Sequence, residues 1–128
     1  MGNRLGCLKF DKVVLDCLDP QALAAFYMAL LGWQKGYDQD GFVIIGSADS
    51  NVDIAFQRNE DYVQPAWPEV PGAQQQMLHL DFAVTPEEHQ NMVQHAIACG
   101  ATMAAQQYSD HWTVMLDPAG HPFCIDAM

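Results

Sequence analysis

The 128-residue chain is short of basic residues: 5 Lys and Arg stand against 16 Asp and Glu, a formal net charge of −11 with the 5 His neutral. A field of that sign repels polyanions, so neither nucleic acid nor an anionic membrane surface is expected as a partner. No run of 18 apolar residues occurs, and nothing reads as a membrane span. The opening MGNRLGCLKF lacks the apolar core of a leader peptide, and Gly6 stands where a myristoylation site needs Ser or Thr; a cytoplasmic protein is expected. The four cysteines, Cys7, Cys17, Cys99 and Cys124, include no CxxC pair, so neither a zinc knot nor a dithiol redox centre is indicated. Also missing are a GxSxG elbow, a GxxxxGK phosphate loop, a GxGxxG turn and an HExxH helix.

What is present suits one domain spanning residues 1–128. Half of the residues are apolar, and a chain of this length buries enough surface for a true core. Lys12–Leu18 reads as a strand. Asp19 then offers a helix cap and Pro20 a first helical position, with Leu23, Phe26, Tyr27 and Leu30 at helical spacing before Gly32. Gly41–Gly46 and Val52–Gln57 form a hairpin around a turn-rich segment. A polar connection from Arg58 to Gln76 carries Pro65, Pro68, Pro71, Tyr62 and Trp67. The pattern restarts with a strand over Met77–Val84. Thr85 and Glu88 follow at capping-box spacing, and a helix runs to Gly100. A strand from about Ala101 and a hairpin of 111–116 with 122–126 close the chain around the turn Asp117-Pro-Ala-Gly120.

Pro20 and Pro86 lie 66 residues apart and Gly32 and Gly100 lie 68 apart, which indicates a duplicated strand-helix-strands unit. The expected fold is α+β, with module one over about 10–60, the connection over about 61–76 and module two over about 77–127. Strand alternation then sorts the side chains. Val13, Leu15, Cys17, Ile54, Phe56, Leu78, Leu80, Phe82, Val84, Phe123 and Ile125 should lie under the helices. The opposite face receives Asp16, Gln57, His79, Asp81, Cys124 and Asp126, which a rolled sheet would gather into one pocket. A polar strand face is equally what a solvated sheet shows. His79 and Asp81, interleaved in an apolar segment, have the residue types for a base or ligand and its orienting carboxylate. Trp67 and Trp112 offer stacking surfaces, and His121 either lines the pocket mouth or bonds the turn backbone. Cys124 reads as packing or pocket-lining. His89 and His95, six residues apart on the second helix, read as surface or boundary residues.

Asp19-Pro20-x-x-Leu23-Ala-Ala-Phe26-Tyr27 leading to Leu31-Gly32-Trp33, His79-Leu-Asp81, Ala98-Cys-Gly100-Ala-Thr102 and Asp117-Pro-Ala-Gly-His-Pro-Phe-Cys124 together resemble the vicinal oxygen chelate superfamily. That superfamily includes glyoxalase I, bleomycin-resistance proteins and extradiol dioxygenases, and the closing motif is most similar to its small glyoxalase-like proteins. The resemblance covers about residues 10–126. It implies paired βαβββ modules in a U-shaped mixed sheet with helices outside, and commonly a homodimer. It also implies that metal-dependent members take one ligand from the first and one from the last strand of each module. His79 matches one such position; the others fall on Lys12 or Val13, Ala55 and Cys124, with Gln57 and Asp126 two residues beyond the last two. Lys and Ala are not ordinary ligands, so the usual four-ligand site is not intact. No cofactor follows from the residues themselves; a divalent metal, with His79 as its ligand, stays open, as does a set of Asp16, His79 and Asp81 or Asp126.

Three readings result. The first is a metal-independent protein binding a small molecule in the sheet cleft through Gln57, Trp67, Trp112, His121, Cys124 and Asp126. The second is a lyase or isomerase with His79 as general base or metal ligand and Asp16 or Asp81 orienting it. The third is a structural module acting through a sheet edge or dimer surface.

Overall fold

The computed structural model describes residues 6–128. The readings of the N-terminal segment rest partly on residues 1–5 and to that extent lie outside the described residues. The order of elements is β1 (Lys12–Cys17), α1 (Pro20–Leu31), β2 (Gln34–Gln39), β3 (Phe42–Gly46), β4 (Asp53–Arg58), β5 (Leu80–Val84), α2 (His89–Cys99), β6 (Thr102–Met103), β7 (Trp112–Leu116) and β8 (Pro122–Ala127). They form two four-stranded mixed sheets, ordered β1-β4-β3-β2 and β5-β8-β7-β6, with both helices on one side. Each module thus has the βαβββ order. β1 runs parallel to β4 and β5 parallel to β8, and the remaining pairs are antiparallel.

Local chemistry accounts for α1. The Asp19 carboxylate accepts from the Ala22 N–H at 3.1 Å, Pro20 opens the helix, and Gly32 ends it in the left-handed region at φ 70°. The second helix starts differently. Thr85 makes no side-chain cap bond; Pro86–Glu88 forms a 3-10 turn held by Glu88 N–H donating to the Thr85 carbonyl at 3.0 Å. The capping box expected from spacing is therefore replaced by a backbone turn, which Pro86 permits because it needs no donor.

Strand β2 was not legible in the sequence. Gln34–Gln39 is exposed at every position and sits at a sheet edge, so no apolar alternation marks it. Strand β5 begins at Leu80 rather than Met77. Met77 and Leu78 are exposed, so Leu78 does not join Leu80, Phe82 and Val84 on the helix-covered face. The strand expected from Ala101 is only two residues long.

The modules share one core. Leu15, Cys17, Phe26, Tyr27, Ile54 and Phe56 pack in the same cluster as Val93, Met115, Phe123 and Ile125. Tyr27 is its hub: its ring stacks on Phe56 at 5.6 Å and meets Phe123 edge-on at 6.1 Å. Its hydroxyl, inside that apolar cluster, needs a partner and donates to the buried Asp117 carboxylate at 2.8 Å. His89 is also buried, contrary to its reading as a surface or boundary residue. Its Nε2 lies 3.1 Å from both the Ile125 carbonyl and the Thr113 hydroxyl. No helix among the described residues is long and apolar enough to cross a membrane.

Candidate functional site

The residues singled out from strand alternation fall into two groups. The first lies where β1, the connection and the start of β8 meet. A cavity of about 310 Å³ opens there, lined among others by Asp16, Asn59, Tyr62, Gln76, Leu78 and His121. His121 is fixed from every side. Its Nδ1 lies 2.8 Å from the Asp117 carboxylate, its Nε2 lies 2.8 Å from the Asp16 carbonyl, and the Tyr62 hydroxyl is 3.3 Å away. Its own backbone N–H donates to Asp117 at 3.0 Å, and the Ala119 N–H to the same oxygen at 2.9 Å.

The turn makes this possible. Gly120, at φ 89°, adopts a conformation that favours glycine, and a Cβ there would meet the Gln64 side chain at 2.2 Å. His121 thus does both things the sequence allowed: it lines the cavity and anchors the turn.

Tyr62 donates to the Ala119 carbonyl at 2.8 Å, and burial, followed by the Asp117 charge, pushes its phenol upward in pKa. Asp16 accepts from the Asn59 amide at 3.1 Å. Gln76 Oε1 is buried in this wall with no hydrogen-bond partner among the described residues, an acceptor left for a donor. Gln57, the register partner of Asp16 across the β1–β4 ladder, is exposed and is not among the residues that line the cavity.

The second group lies on module two. His79 precedes β5, and its Nε2 lies 3.2 Å from Asp81 Oδ1; the two side chains are 40% and 55% exposed. Asp81 is the register partner of Cys124 on β8. One ligand atom from each of His79, Asp81 and Cys124 lies within 4.8 Å of the others. Burial, followed by the charges of Asp81 and Asp126, pushes the Cys124 thiol up to about 12, so at neutral pH it is a thiol and no nucleophile. Asp126, cross-strand from Trp112, has its carboxyl raised by burial and by Asp81.

Trp67 covers this face, packed against Ala104, Val114 and Cys124, with its ring edge-on to Tyr108 at 6.4 Å. Its indole Nε1 is buried with no partner among the described residues. The connection is therefore no free loop: Tyr62 ties it to the closing turn and Trp67 to the second sheet. Sequence reasoning treated Asp117 only as a turn residue and missed Asn59 and Gln76. The one available signal was Asp117 at the head of the turn, where an Asx turn bonds the backbone two residues on, with His121 just beyond it.

Residues 12–125 match the family model of the glyoxalase-like domain. The chain belongs to that family. No curated protein matches its sequence. Its fold is similar to a glyoxalase/bleomycin resistance protein/dioxygenase family enzyme from Burkholderia phytofirmans PsJN, with 25% identity, 94% of this chain and 98% of that one covered, and a TM-score of 0.71. A glyoxalase-related enzyme from Fulvimarina pelagi is similar over 94% and 88% of the two chains, with 17% identity and a TM-score of 0.70. The fosfomycin resistance protein FosX of Listeria monocytogenes, solved with Mn(II) and sulfate, is 14% identical over 96% and 90%, with a TM-score of 0.67. At such identities the last two show the fold alone.

The ligand positions implied for metal-dependent relatives can be tested against this glyoxalase-like chain. In module one Ala55 is fully buried and presents no ligand atom, Val13 presents none, and the Lys12 ammonium is paired with Asp11. Module two presents His79 and Cys124. A two-plus-two donor set does not fit these residues.

Proposed function

We propose that this glyoxalase-like protein binds a small molecule in the cavity between β1, the connection and β8, and does so without the usual four-ligand metal site. The observation that carries the reading is the cavity itself. At about 310 Å³ it falls in the range of small-ligand sites, and it combines apolar walls with a few fixed polar groups at Asp16, Tyr62, Gln76 and His121. The unpartnered Gln76 oxygen supports it, since a ligand donor would satisfy that atom. Exposed Val14 on the outer strand β1, Leu18 just after it, and Met77 and Leu78 just before the outer strand β5 support a homodimer, and the free thiols support a cytoplasmic setting.

A thermal-shift screen of chemically diverse small molecules tests this reading, with Leu78→Trp as the cavity-filling variant; Leu78 is 56% exposed, so the change leaves the core intact. The expected result is at least one compound that stabilises the wild type and loses about tenfold or more in affinity on the variant. Binders that ignore Leu78→Trp, or no binder at all, would count against it.

A second reading, a lyase or isomerase, is favoured by the His79–Asp81 pair. The Asp81 carboxylate, 3.2 Å from Nε2, orients an exposed imidazole that can take a proton from a carbon acid. Its test is solvent-deuterium exchange at the acidic C–H of 2-oxo compounds, lost in His79→Gln.

A further inference from the structure

We infer that His79, Asp81 and Cys124 form a site for a thiophilic divalent cation of the zinc class, held by module two alone. The inference is independent of the cavity reading and replaces the two-module centre that this chain's residues do not fit.

The backbone fixes the three donors. Asp81 and Cys124 are neighbours across the parallel β5–β8 ladder, and His79 stands two residues before Asp81, on the same face. Ligands bonded to a tetrahedral ion at about 2.0–2.2 Å lie roughly 3.3–3.6 Å apart. His79 Nε2 and Asp81 Oδ1 are already 3.2 Å apart, and the sulfur is within 4.8 Å of both, so closing on an ion requires only a small adjustment.

Charge points the same way. The charged groups that act on Cys124 and Asp126 are the carboxylates of Asp81 and Asp126 and the imidazoles of His79 and His89. Three anionic-capable groups around one point are unfavourable on their own and favourable around a dication. Sulfur decides the class: a thiolate with imidazole and one carboxylate suits zinc or cobalt, whereas magnesium and calcium select oxygen. Coordination breaks the Cys124 S–H bond and forms a metal–sulfur bond, and the proton leaves to water. Trp67, packed on Cys124, shields that bond, while the exposed sides of His79 and Asp81 leave a position open to solvent.

The test is a cobalt(II) titration of the full chain after chelator treatment, followed by zinc competition. The expected result is one cobalt per chain with a sulfur-to-cobalt charge-transfer band, displaced by zinc, with one proton released per ion bound. Cys124→Ser should abolish the band, and His79→Ala, a change at an exposed site that does not threaten folding, should weaken binding by about tenfold or more. Cys17→Ser and Cys99→Ser should retain the band. Leu78→Trp should leave cobalt affinity unchanged, which separates this inference from the cavity reading. Absence of stoichiometric binding, or a band that survives Cys124→Ser, would overturn it.

Discussion

The Tyr27 hydroxyl donates to the Asp117 carboxylate over 2.8 Å, joining the first helix of module one to the closing turn of module two. That carboxylate also receives Ala119 N–H, His121 N–H and the His121 ring, so one buried side chain organises the turn, the core tie and the cavity wall. Tyr27→Phe removes one donor and leaves the carboxylate with the others. The expected loss is about 1–2 kcal/mol in urea unfolding. Asp117→Ala orphans several buried donors at once and should cost about 3 kcal/mol or more.

Trp67 is the lid of the second sheet. Trp67→Ala uncovers Ala104, Val114 and Cys124, so a loss of about 2 kcal/mol is expected together with faster alkylation of Cys124. In the wild type, iodoacetamide should modify the exposed Cys7 well before Cys17 and Cys124. Equal labelling of Cys124 in wild type and variant would show that Trp67 does not cover it.

Gly120 offers a backbone test. Gly120→Ala places a Cβ against Gln64 at an unfavourable positive φ, and a destabilisation of about 1–3 kcal/mol is expected. Because the same turn presents His121, this variant should also weaken any ligand of the cavity. Unchanged stability would mean that the turn relaxes freely.

Alkaline pH should weaken the fold through Cys17. Burial, followed by the charge of Asp117, raises this thiol to about 11 from an ordinary value near 9.0. Below pH 9 both folded and unfolded thiols hold their proton and contribute nothing to pH dependence. Between pH 9 and 11 the unfolded thiol ionises while the folded one does not, so stability falls across that window. Cys17→Ala should show a shallower decline over the same range in denaturant unfolding.

The duplicated modules were readable because their signals are local. Asp19, Pro20 and Gly32 mark the ends of α1, and alternation in β1, β4 and β8 placed Leu15, Phe56 and Phe123 in the core. Strand β2 escaped because an edge strand with both faces in water carries no apolar period. His79, Asp81 and Cys124 were legible as one face, since side chains alternate along each strand. The division of the polar residues into two groups was not. It depends on where the 59–79 connection lies, and Trp67, Tyr62 and Gln76 are placed by contacts distant in sequence.

A small molecule bound between β1, the connection and β8 would touch residues from all three. Backbone and side-chain NMR of the protein with a stabilising compound tests that binding most directly. Shift changes are expected to centre on Asp16, Tyr62, Gln76, Leu78 and His121. Changes confined to other surfaces, with those five residues silent, would contradict it.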